Sequence, residues 1–208
     1  MSSRYLYRLV FRDGNWLNVL HSVAQCTEQK SKEQAIPEIV FPSGVRLPYN
    51  VSIPALGFTP LYLLVEQDQL VREDWLKWRK VEMSNRGEKF EPHLPEPKTK
   101  LPIEVSLYLD YRKRLLHPGE EEWNPNLVEF QFAACATSQM TLFRESQNFR
   151  SIFVDLLKKH NGYCGFLDGS TDVSAPGGPH EVFWLRDKPL EPPVSMTETE
   201  IASYLQKL

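Results

Sequence analysis

Apolar and polar residues alternate from the first strand-length stretch of the chain. In RYLYRLVFR, Tyr5, Tyr7, Leu9 and Phe11 share one side, and Arg4, Leu6, Arg8, Val10 and Arg12 share the other. That period of two marks a β-strand. Asp13-Gly14-Asn15 carries turn chemistry, and the run behind it, WLNVLHSVAQC, is read as the return strand of a hairpin. Pro37, Pro42, Pro48, Pro54 and Pro60 then punctuate the chain. Because proline removes a ladder donor, this region is expected to hold only short edge strands and loops. EIVF and VRLPY flank a Pro42-Ser43-Gly44 turn, and LYLLV, residues 61–65, reads as a short buried strand.

The period changes next. Val71, Trp75, Trp78 and Glu82 recur at i, i+4, i+7 and i+11, which predicts a helix over 70–85 with a mostly apolar stripe and a charged outer face. EPHLPEPKTKLP, residues 91–102, holds four prolines and reads as an extended connector. Alternation returns in IEVSLYLDY (103–111) and LVEFQFAACA (127–136), which are expected to be antiparallel neighbours. Phe149, Ile152, Phe153, Leu156 and Leu157 stripe one face of NFRSIFVDLLKKHNG. This helix carries Lys158 and Lys159 at its negative end and a left-handed exit at Asn161-Gly162. YCGFL and HEVFWL follow as two strands around a Gly/Ser/Pro-rich loop. A terminal helix is predicted with Ile201, Tyr204, Leu205 and Leu208 buried, opened by a capping box of Ser195 with Glu198 or Thr197 with Glu200.

Together these predict an α+β fold: a mostly antiparallel sheet with two or three helices packed against it. The expected organisation is a single domain over 1–208, with a helix and Pro-rich connector inserted at about 66–102.

The totals narrow the function classes. The 208-residue chain is 41% hydrophobic, 25% charged and 12% aromatic, the balance of a globular domain with its own core. A net charge of −3 supplies no global basic field for nucleic acid. Cys26, Cys135 and Cys164 form no Cys-x-x-Cys pair, and their odd number points to free thiols in a reducing compartment. With no membrane span and no leader pattern, the expectation is a soluble cytoplasmic protein without a cofactor.

Several residues carry potential chemistry. Asp168, Ser170 and Asp172 have the 1-3-5 spacing of calcium-loop ligands, but Val173 stands where that loop wants glycine and Pro179 where it wants a bidentate glutamate. A turn explains them better than a metal site. Cys164 and His180 would form a nucleophile and base only if their strands met. Asp110 and Glu129 offer a nuclease-like carboxylate set on adjacent strands, although Gln131 stands where that reading wants a lysine. Trp75, Trp78 and Arg79 make the helix over 70–85 a partner-contact surface as well as a core element. Lys77, Arg79, Lys80 and the basic run 112–114 are the nucleic-acid alternative. The acidic and imidazole side chains are expected to point to separate places. The resulting expectation is a non-catalytic binding, adaptor or regulatory protein with a protein partner or self-association. A metal-dependent hydrolase stands as the first alternative and a nucleic-acid-binding module as the second.

Overall fold

The computed structural model describes residues 5–27, 38–40, 46–48, 59–91, 93, 95–97, 99–110, 126–169 and 179–208. In chain order the elements are β1 (Leu6–Arg12), α1 (Trp16–Gln25), β2 (Glu38–Val40), β3 (Arg46–Pro48), β4 (Thr59–Val65), α2 (Gln69–Asn85), β5 (Leu101–Asp110) and β6 (Leu127–Ala134). They continue with α3 (Met140–Glu145), α4 (Gln147–Lys159), β7 (Cys164–Asp168), β8 (His180–Leu185), β9 (Lys188–Met196) and α5 (Glu198–Leu205). Among the described residues, seven strands form one sheet in the order β4-β5-β6-β1-β7-β8-β9, and β2 pairs with β3 apart from it. Every neighbouring pair is antiparallel. The protein is therefore α+β, with five α-helices among the described residues rather than two or three.

The two unexpected helices are α1 and α3. The expected hairpin after Gly14 is replaced by α1, because Trp16, Val19, Leu20 and Val23 repeat at i, i+3, i+4 and i+7. Of these, Val19, Leu20 and Val23 are buried. Neither alternating set of that segment is uniformly apolar, so a strand would leave both faces mixed, whereas a helix gathers the apolar residues on one side. Asp13–Asn15 forms a short 3-10 turn leading into α1 rather than a two-residue hairpin loop. β9 is a further strand beyond those the alternation predicts. Its Pro189, Pro192 and Pro193 are compatible with a strand because β9 is the sheet's edge. The turn before it uses Arg186 and Asp187 at φ 38° and 72°, the left-handed geometry of a tight hairpin.

β1 lies at the centre with both faces covered. Tyr7, Leu9 and Phe11 enter the larger core, with Phe130 and Phe132 from β6 and Phe149 and Phe153 from α4. Tyr7 stacks on Phe153 at 4.3 Å between centroids, and its hydroxyl donates to the Phe143 carbonyl at 2.6 Å. Val10 points the other way, into a smaller core with Cys164, Phe166, Val182, Ile201 and Leu205. That second layer is where α5 sits.

Local signals fix the helices above and below. Ser146 caps α4 by accepting from the Phe149 amide at 3.1 Å, and Asn161 exits it at φ 51°. Gly165 lets α4 approach β7 closely: a Cβ there would lie 2.5 Å from Leu157 Cδ1 and 2.9 Å from Phe183. Asp68 caps α2 through the Val71 amide, and Thr197 with Glu200 forms the capping box of α5. No helix among the described residues is long and apolar enough to cross a membrane.

Candidate functional site

Sheet register gathers charge on the α5 side. Arg8 stands opposite Gln131 on β6 and Phe166 on β7, Val10 opposite Glu129, and Leu6 opposite Asp168. Side chains of these residues share one face by the period of two. α5 then places Glu198, in its first turn, over the same face. Arg8 donates to both Glu129 oxygens, Nε to Oε1 at 2.6 Å and Nη2 to Oε2 at 3.0 Å. Its third nitrogen, Nη1, reaches Glu198 at 3.2 and 3.3 Å. Gln131 Nε2 also donates to Glu129 Oε1 at 2.6 Å. The guanidinium lies 4.8 Å from the Phe166 ring centroid, a cation–π distance.

His180 completes the cluster. Its Nε2 is 2.9 Å from Glu198 Oε2, and its Nδ1 is 3.3 Å from Asp168 Oδ1. Neither contact has aligned hydrogen-bond geometry, so they act as charge contacts. The residue is only 4% exposed. Burial opposes its protonation, but the flanking Asp168 and Glu198 carboxylates outweigh burial and push its pKa up to about 9. Glu198 shows the reciprocal effect. Burial would raise its pKa, yet His180 and Arg8 bring it below the usual carboxylate value. Arg8 is likewise held more firmly protonated, since Glu129 and Glu198 overcome its desolvation. At neutral pH the cluster therefore contains two cations among three carboxylates. It ties β1, β6, β7, β8 and α5 together.

The structure distributes the sequence-selected residues unevenly. Glu129, Asp168 and His180 converge, so the expectation that acidic and imidazole side chains point to separate places is corrected. β1, β7 and β8 are adjacent, and α5 closes over them. Asp110 pairs in register with Glu129, while its side chain lies outside the described residues, as do Asp172 and the 112–114 basic run. Cys164 is fully buried, and desolvation pushes its thiol up to about 12. His180 turns both ring nitrogens toward carboxylates rather than toward that thiol. Among the described residues, no group of three His, Cys, Asp or Glu side chains has metal-holding geometry.

Trp75 and Trp78 sit elsewhere, on α2, which packs against β5 and α3. Trp75 is half-buried against the larger core. Trp78 meets Tyr62 of β4 at 5.9 Å between ring centroids. Arg79 donates to Glu82 at 2.6 Å, and Arg86 donates to the other Glu82 oxygen at 2.6 Å. Val81, next along the helix, is 59% exposed. A separate depression of about 230 Å³ lies between α1 and α4, lined in part by Ser22, Cys26, Lys100, Asp155 and Lys159.

Sequence reasoning missed Arg8 and Glu198 as cluster members. The available signal for Arg8 was a single arginine between Leu6 and Val10 in a strand whose opposite side is wholly apolar. The signal for Glu198 was an acidic first turn beside a capping box. No protein-family model matches this chain, and no curated protein or solved structure matches it either.

Proposed function

We propose that this is a non-catalytic binding protein of the cytoplasm, acting through protein–protein contacts made by the outer side of α2. The observation that carries the reading is the Trp78–Tyr62 ring pair left half-buried beside exposed Val81. Aromatic side chains with a polar rim are the usual anchors of protein interfaces. Arg79, Glu82 and Arg86 supply that rim as an ion-paired ladder. The charge cluster under α5 supports the non-catalytic part of the reading. Its carboxylates are engaged by Arg8 and His180, and a protonated, buried imidazole is a poor general base. The free thiols Cys26, Cys135 and Cys164 suit a reducing compartment.

A photo-crosslinking residue at Val81 tests the reading in cells, with the same residue at exposed Lys207 as control. A discrete protein adduct or crosslinked self-dimer at Val81, absent at Lys207 and lost in Trp78→Ala, is expected. Equal labelling at both positions would defeat it.

One observation favours a metal-dependent hydrolase as the second reading: Asp110 and Glu129 are direct cross-strand partners. Thermal melting with added Mg²⁺ or Mn²⁺ separates the two. A midpoint rising with metal concentration, together with metal-dependent phosphodiester cleavage, would replace the binding reading.

A further inference from the structure

α5 is short, and two kinds of contact hold it on the sheet. Ile201 and Leu205 enter the smaller apolar core. The Tyr204 hydroxyl donates to the Tyr163 carbonyl at 3.3 Å. At the other end of the helix, Glu198 is its polar anchor, reaching Arg8 on β1 and His180 on β8.

The groups facing His180 come from each element packed around it. They are Asp168 from β7, Glu198 from α5, Arg8 from β1 and, behind Arg8, Glu129 from β6. The Phe166 ring, 5.3 Å away, forms the apolar wall. Each imidazole nitrogen faces a carboxylate oxygen. Only the doubly protonated ring sets a positive charge beside both carboxylates; a neutral ring meets the same two oxygens with no charge to offset theirs. Deprotonation also leaves Arg8 as the one cation among three carboxylates in this group, a net change from −1 to −2.

We propose that Asp168, His180 and Glu198 form a proton-sensitive clasp that fastens α5 over the sheet, closed while the imidazole carries both protons and loosened when it loses one. Opening uncovers Cys164, Phe166 and Val182, so the clasp governs access to an apolar surface distinct from the α2 surface. The sign follows from linkage. His180 has a folded-state pKa of about 9 against an ordinary 6.5. Its contribution is thus complete below about 6.5 and disappears as pH rises through about 9. Glu198, whose pKa is lowered, contributes above the ordinary carboxylate range and loses its contribution in acid. The clasp is tightest in weakly acidic to neutral solution and fails on both sides.

Hydrogen exchange of the full chain tests this, read as the protection of α5 amides relative to α4 amides in the same sample. The ratio cancels the intrinsic base catalysis of exchange. In wild type it should fall at least about tenfold between pH 6.5 and 9.5, the factor that one pKa unit of coupling produces. In His180→Gln it should be low already at pH 6.5 and nearly flat. Glu198→Gln, altered at a half-exposed site, should show a shallower fall and serves if His180→Gln fails to fold. Ring ¹⁵N shifts should report His180 doubly protonated at pH 7. A flat wild-type ratio, an unchanged pH response in either variant, or a neutral His180 at pH 7 overturns the clasp.

Discussion

Replacing Arg8 with methionine should destabilise the protein far more than loss of a surface ion pair would. Arg8 and Glu129 are 6% and 8% exposed, and the guanidinium satisfies both Glu129 oxygens and reaches Glu198. Arg8→Met leaves Glu129 buried with the Gln131 amide still donating to it. Breaking a buried pair from one side costs about 3–5 kcal/mol, because a charge stays behind without compensation. For a chain of this size each kcal/mol lowers the melting midpoint by about 2–4 °C, so a fall of roughly 6–20 °C is expected. The double variant Arg8→Met/Glu129→Leu removes both charges and fills the same space with apolar atoms. It should recover most of the loss, giving a coupling of at least about 2 kcal/mol between the two sites. Urea denaturation at pH 7, followed by far-ultraviolet circular dichroism and by tryptophan fluorescence, measures each corner of the cycle. A single-variant cost below about 1 kcal/mol, the range of exposed pairs, would refute the argument. So would a double variant whose loss equals the sum of the two singles.

Two further outcomes follow from the packing. Gly165→Ala should lose about 1–3 kcal/mol by overpacking, since its new methyl meets Leu157 and Phe183 at 2.5 and 2.9 Å; an unchanged melting midpoint would show that α4 does not press on β7 as described. In the native protein Cys135 should react with a thiol reagent at least about two orders of magnitude faster than Cys164. Cys135 is exposed, whereas Cys164 is buried with its thiol pKa up at about 12 and must wait for local opening. Mass-spectrometric mapping of the labelled peptides checks the order, and comparable rates would mean that α5 does not shield the site.

Much of the fold was legible because the relevant signals are local. Ile103, Val105 and Leu107 on β5 and Val128, Phe130 and Phe132 on β6 announce their shared face by alternation alone. α4 announces itself through its stripe and its Asn161-Gly162 exit. At α1 two local signals compete, the Asp13-Gly14 turn pair and the helical spacing of Trp16, Val19, Leu20 and Val23, and burial of the apolar helix face decides for the helix. β9 was missed because three prolines argue against a strand unless its edge position is known, and sequence does not give that position. The charge cluster was illegible for a different reason. Alternation tells which side chains share a face, not whether that face is wet. The polar side of β1 looked solvated, yet α5 returns from the far end of the chain to cover it. Arg8 and Glu129 are 121 positions apart, and Arg8 and Glu198 are 190 apart. No local pattern connects them.

The place of β1 also sets the order in which the nascent chain becomes usable. Its two ladder partners begin at Leu127 and Cys164, so β1 leaves the ribosome with both edges bare. Both edges stay bare until β6 (Leu127–Ala134) has been made, and one of them until β7 (Cys164–Asp168) follows. Incremental, N-terminus-first assembly is therefore closed to this topology. A transcript truncated before β7 encodes a chain with an apolar central strand that lacks one of its two neighbours, a natural client for holding chaperones and proteolytic clearance.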